Sequence, residues 1–156
     1  VAAFVYWPSD PLPKGVTADR VIVEKSARRL VLIDEGTEIK SYRVSLGFAP
    51  SEPKTQEGDG RTPEGLYSID WRNPQSGYHL SLHISYPDAT DLRNARQRGV
   101  SPGGDIMIHG LPNGKGWIGR FHWLIDWTNG CIAVTNEEIE EIWRSVPNGT
   151  MIEILP

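Results

Sequence analysis

The sequence predicts a mainly β domain with short helices, and three observations carry that expectation. Short apolar runs separated by turn residues recur early in the chain, residues 78–86 alternate strictly between apolar and polar, and helical spacing is confined to two brief segments. At 156 residues with 38% hydrophobic content, the chain has the length of one domain and the apolar material for a core without disulfide or metal staples.

Val1–Trp7 (VAAFVYW) is apolar but far shorter than the roughly 20 residues of a spanning helix. It reads as the stub of a removed signal or anchor, or as a strand docked on the domain. Pro8, Pro11 and Pro13 then stiffen an extended stretch. Residues 1–17 are therefore expected to be a lead-in or linker after a removed signal or anchor, and residues 18–156 the folded domain. Val21–Glu24, Leu30–Ile33 and Glu38–Leu46 follow as strands, with a turn at Glu35-Gly36, and three short strands in succession favour an antiparallel meander. Phe48 to Gly65 is loop and contains GDGRTPEG at residues 58–65, after which Leu66–Trp71 reads as another strand.

In residues 78–86, Tyr78, Leu80, Leu82, Ile84 and Tyr86 share one face and His79, Ser81, His83 and Ser85 the other, the pattern of a half-buried strand. On a strand, His79 and His83 stand about 13 Å apart and cannot share one metal ion. Asp88–Arg98 reads as a short polar helix ended by Gly99, and Ile106–His109 as a brief strand before a glycine-rich loop. Thr135 with Glu138 has the form of a capping box ahead of Ile139, Ile142, Trp143 and Val146, which predicts an amphipathic helix of about ten residues. Pro147-Asn148-Gly149 turns the chain into a last strand, Met151–Leu155.

Charge excludes one class of partner. The 16 Lys and Arg and 20 Asp and Glu are interspersed, so there is no basic stripe to follow a phosphate backbone, and nucleic acid is not expected as a partner. The single cysteine, Cys131, cannot close an internal disulfide or build a cysteine zinc site, and no ligand cluster has workable metal spacing, so neither metal nor cofactor is expected.

Cys131 follows Thr128-Asn129-Gly130 and precedes an apolar segment, so it stands where a glycine turn crowds backbone N–H groups around the sulfur. A thiol with a pKa near 8.5 is only about 3% thiolate at pH 7, so a nucleophilic role needs a base. His79, His83, His109 and His122 are available. His109 ends a strand beside Gly110, and His122 lies between Phe121 and Trp123 as a structural ring or a cleft wall. Spacing alone does not choose among the four.

IMIHG at 106–110, the glycine-rich loop after it and TNGCIAV at 128–134 resemble the L,D-transpeptidase catalytic domain, or YkuD domain. GDGRTPEG with the following LYSID, and HISYP at 83–87, resemble it too, and the likeness spans about residues 19–156. The resemblance implies a β-sandwich catalytic domain with Cys131 as nucleophile, His109 as base and Gly110 orienting the imidazole through its backbone. It further implies Gly130 and Cys131 N–H groups as oxyanion donors, with Thr128, Asn129, Trp117, Arg120 and His122 around the substrate. The implied partner is a peptidoglycan stem peptide, with a wall-anchored protein as a further acceptor or substrate, in the periplasm or cell envelope. Two positions depart from the family's usual SHGC-I-R core: Asn129 replaces a histidine and Ala133 an arginine. The pair of Cys131 and His109 is retained. Hydrolytic variants, a carboxypeptidase or a peptidoglycan-protein amidase, share the same chemistry, and the two departures also fit a non-catalytic wall-binding module. A papain-like protease is disfavoured because its cysteine precedes its histidine in the chain.

Overall fold

β-branched residues and leucines set the first strands. In β1 (Arg20–Glu24) Val21 and Val23 are wholly buried, and in β2 (Arg29–Asp34) Leu30, Val31 and Leu32 are buried. The structure, a computed structural model, describes residues 10–156, so the Val1–Trp7 segment and Pro8 lie outside the described residues. β3 (Thr37–Arg43), β4 (Gly65–Ser76), β5 (His79–Ile84), β6 (Met107–His109), β7 (Ile132–Ala133) and β8 (Met151–Leu155) complete the strands.

They form one order, β3-β2-β1-β8-β4-β5-β6-β7, in which β8 pairs parallel with β1 and antiparallel with β4. β4 is shared: Gly65 to Ser68 pair with β8, and Ile69 to Ser76 pair with β5. The chain just after β3 then crosses to the far edge, where Ser45 bridges Ala133 and Gly47 bridges Thr128. Both halves feed one core, with Val23, Leu30 and Leu32 from the first and Ile84, Ile108 and Ile132 from the second. The result is a β-sandwich, as expected.

Two short α-helices flank the sheet. α1 (Ala89–Gln97) starts at a capping box between Asp88 and Asp91. α2 (Asn136–Ser145) starts at the expected box, with Thr135 N–H donating to Glu138 Oε1 at 2.9 Å and Glu138 N–H to Thr135 Oγ1 at 3.3 Å, and it adds Ile139 and Ile142 to the core. None of the helices among the described residues is long and apolar enough to cross a membrane.

Three strand boundaries differ from the sequence expectation. β3 ends at Arg43 instead of Leu46, because residues 44–47 leave β2 to bridge toward β7. β4 runs on past Trp71 to Ser76, its polar second half held by pairing with β5. The alternating segment contracts to His79–Ile84: His79 takes φ 72° in the hairpin, Tyr78 is exposed, and Ser81 is buried against the hydroxyl of Ser76. Ahead of β1, Leu12 N–H donates to Glu141 Oε2 at 2.9 Å and Leu12 O accepts from Arg144, so the Pro11–Pro13 stretch rests on α2.

The GDGRTPEG loop is tied down from within. The Asp59 carboxylate accepts from the N–H groups of Thr55, Gln56 and Arg61 and from Lys54 Nζ, while buried Lys25 donates to Thr62 O, Glu52 O and Glu64 Oε2. The loop closes on Gly47, where an added Cβ would overlap the Gly60 carbonyl. Gly47→Ala should therefore displace the loop at a cost of about 1–3 kcal/mol. Thermal unfolding should show a Tm lower by roughly 3–10 °C, and an unchanged Tm would mean that the loop does not bear on Gly47.

Candidate active site

Two paired strands place the candidate residues. β6 and β7 run parallel with Ile108 opposite Ile132 and His109 opposite Ala133. One residue earlier in the same register, Cys131 stands beside Met107, whose N–H donates to Cys131 Sγ at 3.4 Å. Side chains alternate along a strand and partners share a face. Ile108 and Ile132 fill the core, so Met107, His109, Cys131 and Ala133 occupy the opposite face. Cys131 and His109 are diagonal neighbours there, their Cα atoms about 8 Å apart by strand spacing and rise. That span suits an imidazole reaching toward a thiol.

The Thr128-Asn129-Gly130 turn holds Cys131 in place. Thr128 Oγ1 donates to Cys131 O at 2.7 Å and accepts from Gly130 N–H at 3.1 Å. Gly130 takes φ 131°, and a Cβ there would lie 2.7 Å from Arg61 O, so the position requires glycine.

His109 is held as tightly. Its Nδ1 lies 2.6 Å from Gly110 O, so Nδ1–H donates and Nε2 keeps the basic lone pair. Gly110 N–H is anchored to Tyr78 O at 3.0 Å, and a Cβ on Gly110 would lie 2.7 Å from Asn136 Oδ1. The Tyr78 ring stacks on the imidazole at 4.3 Å, with Trp127 at 5.7 Å. Only 3% of His109 is exposed, and desolvation pushes its pKa down to about 4. Desolvation also pushes the Cys131 thiol up to about 11, with the Met107 N–H opposing it. At neutral pH the pair is a neutral imidazole and a neutral thiol, and the thiol donates to Asp105 O at 3.3 Å.

The other expected site residues divide. Asn129 is exposed beside Cys131, and Trp117 (67% exposed) and half-buried Arg120 lie on the 3-10 segment Gly116–Leu124, which Gly119 interrupts with φ 52°. Thr128 and His122 are both buried, Thr128 at 4% exposure. The Thr128 hydroxyl is committed within the turn as donor and acceptor. His122 is 5% exposed, with Nδ1 at 2.9 Å from Ser45 Oγ and Nε2 without a hydrogen-bond partner among the described residues. Of the two N–H groups expected to face an oxyanion, that of Gly130 donates to Thr128 Oγ1 at 3.1 Å. Ala133 is fully buried opposite His109 and doubly hydrogen-bonded to the Ser45 backbone. His79 and His83 bond different carboxylates, Glu140 and Asp70, and among the described residues no group of three His, Cys, Asp or Glu could hold a metal.

Tyr78, Trp127 and Ser45 were not singled out by the sequence. The available signal was Asp126-Trp127 directly ahead of the TNGC turn. Asp126 accepts from Arg28 and from Leu46 N–H, which carries Trp127 to its place against His109.

The two buried histidines give a pH prediction. Burial lowers the folded-state pKa of both His109 and His122 to about 4, below the usual 6.5, and their mutual repulsion contributes at His122. The unfolded chain then binds more protons, so stability falls as pH drops from about 6.5 toward 4, by up to about 3 kcal/mol per histidine. Urea unfolding at pH 7 and pH 4.5 should show this loss, and His122→Gln should remove about half of it. An equal slope in the variant would contradict the assignment.

Comparison with known proteins supplies the family context. The family model for the L,D-transpeptidase catalytic domain, YkuD, matches residues 18–154. YafK of Escherichia coli K12, itself named only provisionally as an L,D-transpeptidase, is 33% identical over 112 residues, covering 69% of this chain and 37% of that protein. YqjB of Bacillus subtilis, named in the same provisional way, is 29% identical over 153 residues, covering 95% of this chain and 77% of that protein. This chain thus spans little more than a third of YafK. In fold, it is similar to the helical cell shape determining protein Pgp2 of Campylobacter jejuni (TM-score 0.62, 23% identity, 92% of this chain and 51% of that one). An L,D-transpeptidase of Enterococcus faecium is similar as well (TM-score 0.55, 14% identity, 90% of this chain and 50% of that one).

Proposed function

The chain belongs to the L,D-transpeptidase catalytic domain family, and from that premise we propose that it is a cysteine acyltransferase acting on peptidoglycan stem peptides in the cell envelope. The observation that carries the reading is His109, fixed through Nδ1 by Gly110 O with Nε2 left basic, on the same face as Cys131 and diagonal to it.

The chemistry follows from the neutral resting pair. As Cys131 Sγ attacks the carbonyl on the L-centre of diaminopimelate in a tetrapeptide donor, its proton passes to His109 Nε2. The carbonyl oxygen takes the negative charge against Cys131 N–H. With a pKa near 4, protonated His109 is a strong acid, and it gives its proton to the departing D-alanine amine as the C–N bond breaks. A thioester remains. An acceptor amine then attacks it, His109 takes the amine's proton, and that proton returns to sulfur as the C–S bond breaks. The aromatic enclosure of His109 by Tyr78 and Trp127 keeps bulk water from the base and favours an amine acceptor over hydrolysis.

Incubation of the protein with disaccharide tetrapeptides, with products read by mass spectrometry, tests this function. A cross-linked dimer is expected. Loss of one D-alanine without dimer would make the protein a carboxypeptidase, and release of a wall-linked protein an amidase. No product at all would leave a wall-binding module.

A further inference from the structure

A bulge in β4 builds a second cluster on the face that carries Cys131. Ile69 pairs with Ile84 and Trp71 with His83, so Asp70 is the extra residue. Ile69 and Ile84 are wholly buried in the core, and the bulge turns both Asp70 and Trp71 to the opposite face. There Asp70 Oδ1 lies 2.6 Å from His83 Nδ1, and Trp71, 43% exposed, stacks on the imidazole at 4.7 Å with the planes 16° apart.

The cluster is aligned with the thiol. His83 pairs with Met107, which stands in register with Cys131, so Trp71, His83, Met107 and Cys131 form one row across four strands. The neighbouring row of Ser81, His109 and Ala133 is buried, whereas the Trp71–Cys131 row is partly open to solvent. Cys131 Sγ leans on the β6 backbone, through Met107 N–H and Asp105 O. The side chains of β5 and β4 therefore lie one and two strand spacings away, about 5–10 Å.

We propose that Asp70, Trp71 and His83 form a subsite for an amino-acid side chain ending in an ammonium group, the distal amine of the diaminopimelate whose carbonyl Cys131 attacks. The assignment rests on the reading of the site as acting on stem peptides. Asp70 Oδ2 has no hydrogen-bond partner among the described residues, and the carboxylate side chain is 40% exposed, so it can pair with a cation. The indole face beside it suits the methylenes and adds a cation–π attraction. An extended diaminopimelate side chain sets its amine about 6–7 Å from the attacked carbonyl carbon, which matches the span from Sγ to the cluster.

The test is calorimetric binding of two tetrapeptides to the Cys131→Ala protein, one with diaminopimelate and one with 2-aminopimelate, which lacks only the distal amine. The diaminopimelate peptide should bind roughly 10- to 100-fold tighter. Adding Asp70→Asn should bring the ratio to about one, and Asp70→Glu, which keeps the charge, should restore part of it. The ratio is the readout because a folding defect weakens both peptides together. A ratio that Asp70→Asn leaves intact, an equal loss for both peptides, or no binding of either would overturn the subsite. Turnover by the unsubstituted enzyme, measured alongside, tests acyl transfer separately: an intact ratio without turnover would remove the reaction and leave the subsite standing.

Discussion

Cys131→Ala should lower turnover of a tetrapeptide donor by about 10⁴-fold or more, because the sequence holds no second thiol to take the acyl group in its place. The loss should fall on kcat, with donor binding retained. The turn that presents residue 131 depends on Thr128 Oγ1, the Cys131 backbone carbonyl and Gly130, none of which the substitution touches. The thiol's two hydrogen bonds, to Met107 N–H and Asp105 O, are long and at the edge of the sheet, so the Tm should change little. Titration calorimetry with the same donor separates the two effects. A variant that still turns over donor would contradict the role of the thiol.

His109→Gln should have the second largest effect, a fall of roughly 10²–10⁴-fold in thiol acylation. Glutamine can keep a hydrogen bond near Gly110 O but cannot accept the proton. The pH dependence sharpens the case. The active form has neutral His109 and protonated Cys131, so acylation by a carbapenem should lose rate on the acid side only near pH 4. On the alkaline side, the general-base route persists until the thiol ionises near pH 11. The variant should lose the acid limb and react faster as pH rises toward the thiol pKa. An acid limb near pH 6.5 in the unsubstituted enzyme would contradict the buried, neutral imidazole.

Local signals in the sequence are legible where a few neighbouring residues decide the outcome. The Thr135 and Glu138 capping box, the stop of α1 near Gly99, and the position of Cys131 behind a glycine turn all depend on contacts within a few residues. What was not legible depends on contacts between distant segments. His122 and Thr128 were expected to face substrate, yet Ser45 and Leu46, some eighty residues earlier, draw them inward. Alternation puts Tyr78 on the apolar face of its strand, but the positive φ at His79 releases it to stack on His109. The Asp70 bulge leaves no trace in the period of the sequence, because a bulge is recognised only against its partner strand. For the same reason the clustering of Asp70 and Trp71 with His83 was found only in three dimensions.

The central claim is that Cys131 carries the acyl group. Acid-quenched intact-protein mass spectrometry during turnover of a tetrapeptide donor, followed by peptide mapping, tests it most directly. The account predicts a transient adduct of the donor less D-alanine, located on the peptide containing Cys131 and absent from Cys131→Ala. Product formation with no adduct on Cys131, or at an undiminished rate in Cys131→Ala, would contradict it.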